Sequence, residues 1–189
     1  IAFLAFSTNL VLRLLGMKTE AEEENLTEEE LRMMIELGKE KGAIDEDETE
    51  WIQNVFDFRD TSILSSMTRE ADIVSLDEHS TDQEIISIIR ESGLSRLPVY
   101  TKDREDIKGI LYTREYLLNL TAPHPRSLDQ LLHDAYFVPE SIHADDLFRD
   151  MQTKKVHMAI VVDEYGNLSG LITLEDLLEE IVGNIYDEF

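Results

Sequence analysis

Residues 156–179 read VHMAIVVDEYGNLSGLITLEDLLE, and residues 95–118 read SRLPVYTKDREDIKGILYTREYLL. The two stretches align without gaps at an offset of 61 residues. Leu97-Pro98-Val99-Tyr100 falls on Met158-Ala159-Ile160-Val161, and Ile107-Lys108-Gly109-Ile110-Leu111 falls on Leu168-Ser169-Gly170-Leu171-Ile172. Short runs rich in Val and Ile, bounded by turn residues, predict strands. Asp163-Glu164-Tyr165-Gly166-Asn167 predicts the turn of a hairpin between two of them. Thr113 to Leu117 and Leu174 to Leu178 then begin helices. Upstream, Ile73-Val74-Ser75-Leu76 and Tyr136-Phe137-Val138-Pro139 also read as strands, each followed by a helix, over roughly 81–91 and 144–153. Each unit is therefore strand, helix, strand, turn, strand, helix. Two copies are too few for a solenoid, and they suit a pseudo-twofold pair packed sheet against sheet with matching clefts. The expected class is α/β: two βαββα units, over 67–121 and 122–189, behind an N-terminal acidic helical extension.

The chemistry concentrates in Gly170-Leu171-Ile172-Thr173-Leu174-Glu175-Asp176. A strand ends at Thr173 and a helix begins immediately after it. A hydroxyl there caps the helix, or it bonds a phosphate, because free backbone N–H groups favour an anion at that end. Asp176, three residues on, can accept both hydroxyls of a ribose, but Thr and Asp at this spacing also make a plain capping box. The bare pattern leaves both readings open. Catalytic patterns are wanting elsewhere. No two of His79, His124, His133, His143 and His157 stand at His-x-x-x-His spacing. No phosphate-binding glycine loop or nucleophile elbow occurs, and nothing selects a carboxylate pair for acid/base work. The expectation is a chain that is not an enzyme.

The remaining sequence, 1–66, differs in character. Residues 20–50 hold 14 acidic and 3 basic residues, and residues 163–189 hold 8 acidic and none basic. The formal net charge of −24 is thus carried largely by two segments, and it argues against a nucleic-acid partner, which needs clustered Lys and Arg. The absence of cysteine excludes disulfides and thiolate chemistry. Within 19–66, Thr27-Glu28-Glu29-Glu30 predicts a capping box, with Leu31, Met34 and Ile35 at helical spacing and Gly42 as the stop. Asp45-Glu46-Asp47-Glu48 repeats the device ahead of Ile52, Val55 and Phe56, with Trp51 expected to cover the same face. That acidic run lacks the glycine and terminal Glu of a calcium loop. Residues 1–15 include 11 apolar ones, short of the ~20 needed to span a bilayer. They read as the end of a membrane region over 1–18, as an amphipathic helix at a membrane surface, or as a helix packed on its own domain. Arg13 and Lys18 favour a juxtamembrane position with the chain on the inner side.

The paired units, with Gly170-x-x-Thr173-x-x-Asp176 ending the second and Ser95-Arg96-Leu97-Pro98-Val99 in the first, resemble tandem cystathionine-β-synthase (CBS) motifs over about residues 67–183. Leu26 to Leu31, Gly42 to Asp45, Met67-Thr68-Arg69, His157 to Gly166 and Leu174 to Gly183 resemble more narrowly the CorC/HlyC-like family. That family is related to the CNNM magnesium transporters and is often labelled haemolysin-like. The resemblance implies a regulatory module on the cytoplasmic face of the plasma (inner) membrane. It would bind adenine nucleotide (AMP or ATP) in a cleft, form a homodimer through its CBS modules, and control a linked membrane domain that moves Mg2+ or Co2+. In the second motif Thr173 would hold phosphate and Asp176 the ribose. The strand Tyr136, Phe137 and Val138 would wall the adenine, and His157, Met158 and Ala159 would line the cleft. Arg96 or Arg69 would reach the phosphates from the other motif. In the first motif the equivalents are Tyr112 and Glu115, both departures, which implies one good site and a weak or empty second cleft. An anionic nucleotide approaching so acidic a chain is expected to need Mg2+. The alternative expectation is a structural dimerisation module whose clefts stay empty.

Overall fold

The computed structural model describes residues 26–103 and 106–183. The segment 1–18, residues 19–25 after it, residues 104–105 and the tail 184–189 lie outside them. The chain divides into two compact units, residues 1–49 and 50–189. In the first, α1 (Glu28–Glu40) begins at the expected capping box, Thr27 accepting the Glu30 N–H while Glu30 accepts that of Thr27. It ends where Gly42 takes φ +68°, a left-handed turn that favours glycine. α2 (Glu46–Phe58) starts on the same reciprocal device between Asp45 and Glu48. Acidic residues fill the first turn of both helices, where the helix dipole favours them. Trp51 departs from expectation: it is 47% exposed, as is Val55 at 54%. Phe58, near the C-terminal end of α2, is buried instead.

The larger unit contains the duplicated fold. Short strands β1 (Thr68–Arg69) and β2 (Leu76–Asp77) precede α3 (Asp82–Ser92), β3 (Arg96–Tyr100), β4 (Ile107–Tyr112) and α4 (Thr113–Leu120). The second copy comprises β5 (Leu132–His133), β6 (Phe137–Pro139), α5 (Ala144–Lys154), β7 (Met158–Val162), β8 (Leu168–Thr173) and α6 (Leu174–Val182). The first strand of the first copy is shorter and later than expected. Residues 70–72 form a 3-10 turn, and only Leu76 and Asp77 pair with β3.

Two four-stranded sheets result, ordered β2-β3-β4-β5 and β1-β8-β7-β6. In each, the outer antiparallel strand comes from the segment leading into the other copy's core. β1 pairs with β8 through Thr68–Leu171 and Arg69–Gly170, and β5 pairs with β4 through Leu132–Leu111 and His133–Ile110. The duplicated glycine makes both crossings possible. A Cβ on Gly170 would lie 2.4 Å from the Thr68 carbonyl oxygen, and one on Gly109 would lie 2.8 Å from that of His133. Each copy buries its own core, Leu76, Ile85, Leu97 and Leu111 in the first and Leu147, Met151, Ala159 and Ile172 in the second. A third cluster, Ile73, Ile107, Ile110, Ile160, Leu168 and Leu171, joins the two sheets. The sheet-against-sheet pair is therefore formed. Apolar burial of this kind contributes roughly 25 cal/mol per Å², so the shared cluster holds the copies together alongside the crossing strands.

Candidate site at the start of the last helix

β8 delivers Thr173 to the N-cap of α6, and β7 lies beside it, with Met158 paired to Thr173. The Leu174 N–H donates to the His157 carbonyl at 3.1 Å, closing the strand-to-helix turn. The capping box is formed here. Asp176 Oδ2 accepts the Thr173 N–H at 2.7 Å and the Thr173 hydroxyl at 2.8 Å, while the Asp176 N–H donates to Thr173 Oγ1 at 3.2 Å. Two side chains of opposite utility, a hydroxyl and a carboxylate, thus sit together at the positive end of a nine-residue helix. Asp176 also borders a cavity of about 360 Å³ with Ser66, Glu179, Glu180 and Gly183. That lining is polar and offers no wall for a purine.

Arg96, at the start of β3 in the other copy, approaches the same end. Its guanidinium stands 3.9 Å from Glu175 and 5.4 Å from the centre of the Tyr112 ring. Its Nε is buried with no hydrogen-bond partner among the described residues, a costly state for a polar donor. Arg69 is exposed on β1, paired to Gly170 three residues before Thr173. His157 is exposed and Met158 half-buried, whereas Ala159 is wholly within the core. Along β6 the side chains diverge. Val138 is buried, Phe137 is 49% exposed, and the Tyr136 hydroxyl is engaged by Asp150 and Lys154. Lys154 also lies 4.5 Å from the Tyr136 ring centre. The structure thus gathers Thr173, Asp176, His157, Met158 and Arg96 at one end of the sheet. Phe137 begins β6 at the sheet's other edge, paired to Ile160, and Tyr136 directly precedes that strand.

The first copy differs at the matching place. Tyr112 occupies the N-cap of α4 without making a side-chain cap. Its ring stacks on His133, with centroids 4.2 Å apart and planes 21° apart. Glu115 binds His133 Nε2 at 2.8 Å and the Arg126 guanidinium at 2.7 Å. These partners hold its carboxyl below the usual carboxylate range, His133 first and Arg126 second. The polar anchors of this cleft are spent on the chain's own side chains. Sequence reasoning missed His133 and Arg126 here and Glu175 as the partner of Arg96. No local pattern marks them, since each meets its partner through long-range packing.

A fold of two interlocked βαββα copies, with a hydroxyl and a carboxylate capping the final helix, defines a tandem CBS-domain pair. The CBS domain family matches residues 61–121 and 129–183, and the Cyclin M transmembrane N-terminal domain matches residues 1–48. A solved CBS domain of the bacterial CNNM/CorC family Mg2+ transporter is 38% identical, covering 85% of this chain and 99% of its own, with a TM-score of 0.78. A structure of such a domain in complex with ATP is 37% identical, covering 72% of this chain and 97% of its own, at a TM-score of 0.67. The magnesium and cobalt efflux protein CorC of Escherichia coli K12 is 36% identical over 162 residues, 85% of this chain and 56% of that protein. A putative DUF21 domain-containing chloroplastic protein of Arabidopsis thaliana is 37% identical over 182 residues, 94% of this chain and 27% of its own length. The chain belongs to the CNNM/CorC family. It spans between about a quarter and just over half the length of these curated relatives. No helix among the described residues is long and apolar enough to cross a membrane.

Proposed function

We propose that this chain is the nucleotide-sensing regulatory module of a divalent-cation transporter. It binds adenine nucleotide, with Mg2+ on the phosphates, at the start of α6, and acts from the cytoplasmic side as a homodimer on a linked membrane domain. The observation that carries this reading is the convergence of Thr173, Asp176 and Arg96 on one helix N-terminus. Solved relatives containing the same paired domains were obtained with ATP and with AMP, which supports the ligand class. In this reading Asp176 takes the ribose hydroxyls, Thr173 and Arg96 the phosphates, and the half-buried Met158 offers apolar surface to the base. Glu175 and the carboxylates near the cavity oppose an unneutralised triphosphate, which makes the counter-cation part of the ligand.

Isothermal calorimetry with AMP and with ATP, each with and without Mg2+, tests the reading. Saturable binding is expected, with ATP weakened at least about tenfold when Mg2+ is withheld. Asp176→Ala removes charge-assisted hydrogen bonds worth about 1.5–3 kcal/mol, a loss of roughly tenfold to a hundredfold in affinity. A second reading, a purely structural pairing module, draws on the capping box being closed on itself. It wins if neither nucleotide shifts the melting temperature of the wild-type protein.

A further inference from the structure

One hydrogen atom decides how α6 can answer a ligand. A threonine hydroxyl donates once and accepts at two lone pairs. Thr173 gives its single hydrogen to Asp176 Oδ2 and accepts the Asp176 N–H. A phosphate oxygen only accepts. Thr173 can therefore hold a phosphate only by turning its hydrogen away from Asp176, which dismantles one of the three bonds of the cap. The same Asp176 oxygen also accepts the Thr173 N–H, and the second carboxylate oxygen is left to accept a ribose hydroxyl. A phosphate on Thr173 and the Thr173 hydroxyl bond to Asp176 are therefore alternatives, and α6 has two ways of being started.

The other end of α6 is tied to different elements. The Asn54 side-chain amide, on α2, donates to the Ile181 carbonyl at 3.2 Å. The Ser66 hydroxyl, just before β1, donates to Glu180 at 2.6 Å. Leu177 is fully buried at the helix middle, in the same apolar cluster as Phe58 of α2, with Ile181 packed against that cluster. Nine residues of helix are about 13 Å long, short enough to move as one body. α2 itself runs unbroken from Glu46, within the N-terminal unit that ends at Thr49, to Phe58.

We propose that α6 is a two-position strut: nucleotide replaces the Thr173 hydroxyl bond to Asp176 at one end, and the shift is delivered at the other through Asn54 to α2, with Ser66 tying the same end to the approach to β1. α2 is the covalent route back to the N-terminal unit, so occupancy of the site is read there. The proposal rests on the nucleotide reading given above. It adds a route, and it names Asn54 as a transmitting residue that touches no ligand.

Hydrogen–deuterium exchange of the whole chain, followed by mass spectrometry with AMP and with ATP plus Mg2+, tests it. Saturating nucleotide is expected to alter exchange at 173–178 and to change the rate across 50–58 by about threefold or more, the size of a modest coupling between sites. Asn54→Ala keeps the first effect and loses the second. Because coupling is reciprocal, it also changes nucleotide affinity by a comparable factor. A response at 173–178 with 50–58 unmoved in the wild type overturns the strut and leaves the binding site standing. No response at either place, with no thermal shift, removes both. The wild-type comparison needs no variant, so the outcome stands even where Asn54→Ala folds poorly.

Discussion

Glu115 and Asp176 occupy matching positions in the two copies and differ by one methylene, yet their surroundings diverge. Asp176 is short enough to fold back on Thr173 and close the cap. Glu115 reaches outward instead, to His133 on β5 and Arg126 in the linker. Tyr112 in place of Thr173 completes the change, stacking where a hydroxyl would cap. At this place Tyr112 and Glu115 both engage His133, and Glu115 also holds Arg126. Because its partners depress the Glu115 pKa, its contribution to stability is present above the usual carboxylate range and disappears as pH falls through the folded value. The group is partly exposed, so solvent screening keeps the effect modest. Thermal melts of wild type and Glu115→Gln should differ most near neutral pH and converge on acidification. A gap that stays constant down to pH 3 would show that this carboxylate is not held by its ion pairs.

At the scale of elements, the crossing strands decide whether the two copies are one body. β1 and β5 are only two residues long, and each contributes few hydrogen bonds of its own. Their register holds because Gly170 and Gly109 leave room for a backbone where any other residue would place a Cβ. Neither glycine has a positive φ, so the requirement is steric and has nothing to do with torsion. Gly170→Ala should cost about 2 kcal/mol, in the range of overpacked cores, read as a lower urea midpoint. Gly109→Ala should cost less, since its closest contact is 2.8 Å where that of Gly170 is 2.4 Å, with Met67 also pressed at 3.1 Å. Equal, negligible effects would mean that the crossing strands adjust freely, and that the repeated glycine has another cause.

For the whole molecule the excess of acid is the dominant long-range term. A net charge of −24 on 189 residues opposes compaction by self-repulsion, and salt at physiological strength screens it beyond about 8 Å. Raising NaCl from a few millimolar to 0.15 M, without nucleotide, should lift the melting temperature by about 2–4 °C per kcal/mol recovered. A flat response would place the charge in pairs already neutralised locally, such as Lys39–Glu46 and Arg32–Glu28. Much of this organisation was legible in the residues. The duplication, the hairpins, the helix starts at Thr27 and Asp45, and the hydroxyl–carboxylate pair at the last helix are written in spacings of a few residues, so they follow from local propensity and periodicity. Other features were not legible. The strand expected over 73–76 shrank to Leu76–Asp77 because pairing with β3, rather than β propensity, defines it. β1 and β5 crossed to the opposite sheets, Arg96 met Glu175 from the other copy, and His133 closed the first cleft. These contacts depend on the register between segments far apart in the chain. Sequence alone determined the repeated order of elements and the hydroxyl–carboxylate cap of the last helix, because those depend on neighbours along the backbone. Tertiary structure decided that Glu115 meets His133 and Arg126 while Asp176 closes on Thr173, and what the far end of α6 is tied to. Those outcomes depend on which surfaces the packing of two sheets brings together.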